Sequence, residues 1–322
     1  MSAESHFRSQ MEVSVRGWVE VRDRFDAQTL PAFVARHWAA DPQSLQLVER
    51  RLSIVYRLRR AGEPRYLRIS HPSIRRPRTA QAAYHFQAHL VEQGAPVCAP
   101  LRSQQGNHIE WLRQGETRYF AGLVTAAPGQ AIHPEEREPR VFRAWGRSIA
   151  QLHEASLSYR PGPHRHHTLF DFYQNVRPIA LAAEAAIRAK YFELERWLHD
   201  LPRRDFALTH GDMHPANVFW DGMQATIIDF DEPVYGWLWV DFARALLDFY
   251  RRSRPDRRAL HEALLAGYRE VRPVDAELHS QLPRFMQLRG LLMHLWSLTD
   301  GAVSVSGPAP HQRRWALQEQ RW

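Results

Sequence analysis

With 322 residues and 44% hydrophobic content, the chain is ordinary for a folded protein and long for one core, so two lobes or two modest domains are expected. Cys98 is the only cysteine, which excludes an intrachain disulfide and a multi-cysteine metal site and reads as a small buried residue. The formal charge of +8 rests almost wholly on arginine, Lys190 being the only lysine; the arginines are scattered and their one dense group, Arg75-Arg76-Pro77-Arg78, is short, so no nucleic-acid partner is expected.

Residues 1–40 read as one or two short helices, with apolar positions at Leu30, Phe33, Val34 and Trp38. Three strands follow, Gln46–Glu49, Ser53–Arg59 and Arg65–Ser70, with a turn at Arg60–Pro64 between the last two. A helix is expected over Thr79–Gln93, ended by Gly94, and then strands over His108–Leu112 and Thr117–Val124 around Gly115. Ala126–Pro134 reads as a Pro/Gly-bearing linker, dividing the chain into a β-rich lobe (1–125), a hinge (126–134) and a helical lobe (135–322). Helices are expected over Glu136–Ala155, about Leu169–Asn175 and Pro178–Leu201, short strands and turns over Phe206–Asp231, then helices over Leu238–Tyr250, Arg257–Glu270, Glu277–Leu298 and His311–Trp322. The most apolar stretch, Trp237 to Tyr250, is broken by Asp241, Arg244 and Asp248, and no run approaches the roughly 20 residues of a membrane span. Met1 to Ser9 carries no apolar core, so no secretory signal or membrane partner is expected and a cytoplasmic location is. His164–His167 and the pair His85/His89 have poor spacing or too few ligands for a metal.

The chemistry concentrates in Leu208-Thr-His-Gly-Asp-Met-His-Pro-Ala-Asn-Val-Phe-Trp220, followed by Ala225-Thr-Ile-Ile-Asp-Phe-Asp231. Phosphoryl transfer from ATP needs a group that orients and deprotonates the acceptor hydroxyl, and hard oxygen ligands that hold the divalent metal on the phosphates. Asn217 follows Asp212 by five positions, and Asp229 follows Asn217 by twelve. A turn at Gly222 would pair the two intervening strands as a hairpin and bring Asn217 and Asp229 to one end. Gly106-Asn107-His108 and Gly211-Asp212-Met213-His214 stand in the reverse of the order that a two-metal phosphoesterase requires, and the upstream Asp-x-His is missing.

His210-Gly211-Asp212 through Asn217, with Ile228-Asp229-Phe230, resembles the catalytic and metal-binding loops of the aminoglycoside phosphotransferase and choline kinase family. The resemblance implies an α+β, bilobal, protein-kinase-like fold: a small antiparallel β-sheet lobe and a larger, mostly helical one. It implies ATP and Mg2+ as cofactors, Asp212 as catalytic base, Asn217 and Asp229 as Mg2+ ligands, Asp231 as an assistant at the metal or acceptor side, and His210 and Asp241 as structural. Phe142–His153 is similar to the family's helix ending in Leu-His. Tyr66-Leu67-Arg68-Ile69 resembles the strand that bears the phosphate-contacting lysine, with Arg68 in its place; the partner helix offers Ala83 where a Glu is expected, with Gln81, Gln87 and Glu92 nearby. The leading expectation is transfer to a small-molecule hydroxyl. Asp231, Glu232 and Asp248 would suit a cationic acceptor, and Trp237, Trp239, Phe249 and Tyr250 form either a cation-binding wall or core. Two alternatives stand beside it. One is a protein Ser/Thr kinase, like the family's bacterial stress-response branch; the other is a non-catalytic nucleotide binder, motivated by Arg68 and Ala83.

Overall fold

The computed structural model describes residues 19–133, 135–251, 254–298 and 317. The expected helix at His311–Trp322 and the first part of the 1–40 helical region lie outside the described residues, apart from residue 317.

The β-rich lobe opens with α1 (Leu30–Trp38) and a sheet of β1 (Asp41–Arg50), β2 (Ile54–Arg60) and β3 (Glu63–Ser70). Helix α2 (Pro77–Glu92) follows, then β4 (Pro100–Leu101), β5 (Glu110–Gln114) and β6 (Thr117–Thr125). The sheet order is β1-β2-β3-β6-β4, with β5 also on β6, and every pairing is antiparallel. Alternation along β2 and β3 turns Ile54, Tyr56, Leu58, Leu67 and Ile69 toward Leu30, Phe33, Val34 and Trp38 of α1, forming one core. Strand β1 is longer than expected because it is a mostly exposed, irregular edge whose polar side chains give little apolar alternation.

The helical lobe contains β7 (Gln130–Ala131), α3 (Pro139–Ser158), β8 (His167–Thr168), α4 (Leu169–Ala182), α5 (Ala185–Asp200), β9 (Phe206–Thr209), β10 (Val218–Trp220), β11 (Ala225–Ile227) and β12 (Val234–Trp237). It closes with α6 (Trp239–Arg251), α7 (Arg257–Arg269), α8 (Ala276–Ser280) and α9 (Leu282–Ser297). Helices α3 and α7 cross at glycines: a Cβ on Gly146 would lie 1.8 Å from the Leu264 carbonyl, and one on Gly267 1.8 Å from that of Arg143. Backbone-to-backbone approach this close admits no side chain.

Two helix boundaries correct the sequence reading. A helix was expected to begin at Pro178; instead α4 starts from a Thr168–Asp171 capping box and runs through Pro178 to Ala182. The buried stripe Leu169, Tyr173, Val176, Ile179 and Ala180 continues across the proline, and its burial outweighs the lost hydrogen bond. The single expected helix Glu277–Leu298 is two, because Pro283 sits in the first turn of α9 and the chain turns at Gln281.

Helix α2 ties the lobes together. Ala80 and Tyr84 pack under the sheet, whereas Phe86 and Leu90 belong to the core of the helical lobe. Beyond it, Pro96 O accepts from Ile227 N at 2.8 Å and Cys98 N donates to Ile227 O at 3.2 Å, which joins the connecting segment to β11. Among the described residues no helix is long and apolar enough to cross a membrane.

Candidate active site

Strand β9 delivers Thr209 to a loop fixed by Asp241, a fully buried carboxylate in the first turn of α6. Its Oδ2 accepts from His210 N at 2.7 Å and its Oδ1 from Gly211 N at 2.9 Å. Buried His153, near the end of α3, approaches the same carboxylate at 3.4 Å. His210 donates through Nε2 to Ile228 O at 2.8 Å and accepts at Nδ1 from Asp212 N at 3.2 Å, so the ring is held on both sides. Gly211 has φ +86°, and a Cβ there would lie 2.1 Å from the Glu232 carbonyl, so this position requires glycine. The structural parts expected of His210 and Asp241 are what this geometry gives them.

Asp212 follows directly. Its Oδ1 accepts from Arg244 Nε of α6 and from Arg289 Nη2 of α9, each at 2.9 Å, and His214 Nε2 stands 3.4 Å from its Oδ2. Burial works to raise the carboxyl pKa, but the His214 hydrogen bond and the Arg289 and Arg244 guanidinium groups outweigh it and hold the group far below the usual carboxylate range. Arg244 also donates to Asp248 Oδ2 at 3.1 Å.

The β10–β11 hairpin pairs Val218 with Ile227, and Ile228 N donates to Asn217 O at 2.9 Å, so Asn217 and Asp229 share one end as the spacing implied. Asn217 Nδ2 donates to the Asp212 carbonyl at 3.0 Å, linking the two loops. Asp229 adopts φ +65°, a left-handed conformation that Asp tolerates better than most side chains. Burial and the neighbouring Asp231 charge push its pKa up, against the pull of Arg68.

Arg68, from β3, donates to Asp229 Oδ1 at 2.6 Å and also to Asp231. Arg75 reaches Asp231 Oδ1 at 2.6 Å. No helix carboxylate is needed to place Arg68: Ala83 is buried, Gln87 donates to the Cys98 carbonyl at 2.7 Å, and Gln81 and Glu92 are exposed. Arg68, Arg75, Asp229 and Asp231 wall an interlobe cleft of about 480 Å³ that also includes Asn217, Cys98 and the β6 end at Thr125. A second, small hollow of about 20 Å³ is lined by Gly211, Glu232 and Arg289 among apolar side chains. His214 lines the cleft and Arg289 the hollow, and Asp212 contacts both side chains.

Arg75, Arg244 and Arg289 are site residues that the sequence reading missed as such. Arg244 had a legible signal, three positions after Asp241 on one helix; Arg289 had none. The proposed aromatic wall is core: Trp237, Trp239, Phe249 and Tyr250 are all at most 6% exposed. Among the acidic candidates, Asp231 and Asp248 are ion-paired to arginine, and Glu232 is exposed, lining the same hollow as Arg289. His85 bonds the Tyr159 hydroxyl and His89 the Ala155 carbonyl, bracing α2 on α3, and no metal-holding group of three His, Cys, Asp or Glu occurs among the described residues.

A profile described as "Phosphotransferase enzyme family" matches residues 20–278. An amicoumacin kinase of Bacillus subtilis (strain 168) is 23% identical over 288 residues, covering 85% of this chain and 86% of the relative. A homoserine kinase of Chelativorans sp. (strain BNC1) is 32% identical over 254 residues, 72% of this chain and 74% of the relative. The solved structure of an amicoumacin kinase in complex with AMP-PNP, Ca2+ and Ami superposes with a TM-score of 0.78 at 19% identity, covering 92% of each chain.

Proposed function

Since the chain belongs to the phosphotransferase enzyme family, we propose that it moves the γ-phosphate of ATP onto a hydroxyl of a small-molecule acceptor, with Asp212 as base. The reaction class is that of a kinase with an alcohol acceptor, and the relatives named for amicoumacin and homoserine support a small acceptor over a protein side chain. The observation that carries the residue roles is that Asn217 and Asp229 line the interlobe cleft together at one end of the β10–β11 hairpin, with Asn217 bonded to the backbone carbonyl of Asp212.

Asp212 orients the acceptor hydroxyl and takes its proton as the oxygen attacks. Its Oδ1 is held by two guanidinium groups, which leaves Oδ2, beside His214, as the oxygen that faces the hydroxyl. Asn217 and Asp229 supply hard oxygens suited to Mg2+, and would hold it; the metal, when bound, neutralises charge on the phosphate oxygens. Arg68 and Arg75, gathered on Asp229 and Asp231, would take the phosphates. Arg68 is held by the Asp229 loop rather than by a helix Glu, which speaks against the non-catalytic alternative. We also place the activity in the cytoplasm, in keeping with the single buried thiol.

The test is calorimetric titration of Mg·ATP into the wild type, with Asp229→Ala alongside. Metal-dependent binding that is lost in the variant is expected; absence of Mg·ATP binding at millimolar nucleotide would overturn the reading in favour of a pseudoenzyme.

A further inference from the structure

We infer that the acceptor is an alcohol carrying an anionic group, and that Arg289, with Arg244 beside it, recognises that group. The inference rests on the reading of Asp212 as the base.

Arg289 reaches the loop from α9, with a side chain only 13% exposed. Asp212 Oδ1, at 2.9 Å, is the carboxylate it pairs with among the described residues, and its Nε is buried without a hydrogen-bond partner there. Arg244 differs, being shared between Asp212 and Asp248. Two guanidinium groups therefore lean on one oxygen of the carboxylate that must serve the acceptor hydroxyl.

A neutral hydroxyl held at Asp212 Oδ2 leaves the buried Nε of Arg289 without an acceptor, a cost that an anion beside it would remove. A carboxylate or phosphate on the acceptor supplies that anion and matches the planar donor fork, with the free Nε as one tine. The hollow beside Arg289, of about 20 Å³, has the scale of roughly one water, too small for a sugar ring, and Arg289 is the cationic group on its largely apolar wall. The opposite charge class finds less: Asp231 and Asp248 are already paired with arginines, and the nearby aromatics are core. Glu232 lines the same hollow, so an acceptor bound only by an ammonium group is an outcome that the test must separate.

The experiment uses matched alcohols that differ in the anionic group: D-glycerate against ethylene glycol, L-homoserine against 3-amino-1-propanol, and glycerol 3-phosphate against glycerol. Phosphorylated product and ADP are followed for the wild type, Arg289→Met and Arg289→Lys. In the wild type, kcat/KM should favour the anionic member of at least one pair on the order of a hundredfold. The carboxylate and phosphate pairs tell which anion is read. In Arg289→Met the ratio should collapse toward unity, and Arg289→Lys should recover part of it. Equal use of both members, preference for the cationic or uncharged member, or an equal loss for both members in Arg289→Met would overturn the inference, the last by marking Arg289 as a support of Asp212 alone. Mg·ATP titration and melting curves accompany each variant; should Arg289→Met fail to fold, the wild-type ratio and Arg289→Lys still decide. Intact Mg·ATP binding with no anionic alcohol used overturns the anion inference while the phosphotransferase reading stands, whereas loss of Mg·ATP binding in the wild type strikes the phosphotransferase reading itself.

Discussion

The two sides of the catalytic loops carry the same device from different origins. On the cleft side, Asp229 and Asp231 are met by Arg68 and Arg75, which come from the β-rich lobe across the cleft. On the other side, Asp212 is met by Arg244 and Arg289, which come from α6 and α9 of its own lobe. The first cluster spans the two lobes through side-chain ion pairs. The second is anchored in one core, where Phe242, Leu246, Leu288 and Leu292 bury the helices that carry it. The lesson is one of division: the cleft-side cluster joins the two lobes, while the Asp212 cluster lies within one.

The sharpest way to break this picture is Asp212→Asn, which keeps shape and removes the base. Transfer should fall on the order of 10³-fold or more while calorimetry shows Mg·ATP binding retained; equal turnover would sink the base assignment. Next is Asp241→Asn, which weakens the anchor shared by His210 and Gly211. A loss of about 3 kcal/mol is expected in denaturant melts, because the buried carboxylate serves two backbone donors. Asp229→Ala should lower Mg·ATP affinity on the order of a hundredfold, about 2.7 kcal/mol, and EDTA should do the same to the wild type. An unchanged Mg2+ titration would refute the metal role.

Arg68→Lys is the smaller test, expected to weaken nucleotide binding about tenfold, since one ammonium cannot reach both Asp229 and Asp231 as the guanidinium fork does. The smallest effect belongs to Cys98. Burial pushes its thiol up to about 12, so it stays protonated at neutral pH and becomes reactive only as pH rises toward that value. Iodoacetamide at pH 8 should label the native protein far more slowly than the unfolded one, and Cys98→Ala should cost about 1 kcal/mol of stability. Rapid labelling of the native protein would show that this wall of the cleft is open.

Much of the site was legible because its residues are close in sequence. Asp212, Asn217 and Asp229 lie within one loop-and-hairpin unit, and the turn at Gly222 fixes their register by local pairing. Alternation likewise announced β2, β3 and β6, since their inward residues build one core. Strands β7, β8 and β12 were not foreseen, because pieces of two to four residues have no period to read and exist only through partners elsewhere in the chain. The run of α4 through Pro178 belongs to the same class, being decided by burial of a stripe rather than by local preference.

The sequence by itself determined the order of strands and helices and the kinase-like loops, because backbone turn geometry and residue type at short spacing are local properties. Only the tertiary structure decided where the arginines go. Nothing in the spacing of Arg289, 77 positions from Asp212, or of Arg68, 161 positions from Asp229, announces that they meet. Long, flexible side chains choose their partners by proximity and charge after the helices and strands have packed, and it is this packing that sets the electrostatics of both halves of the site.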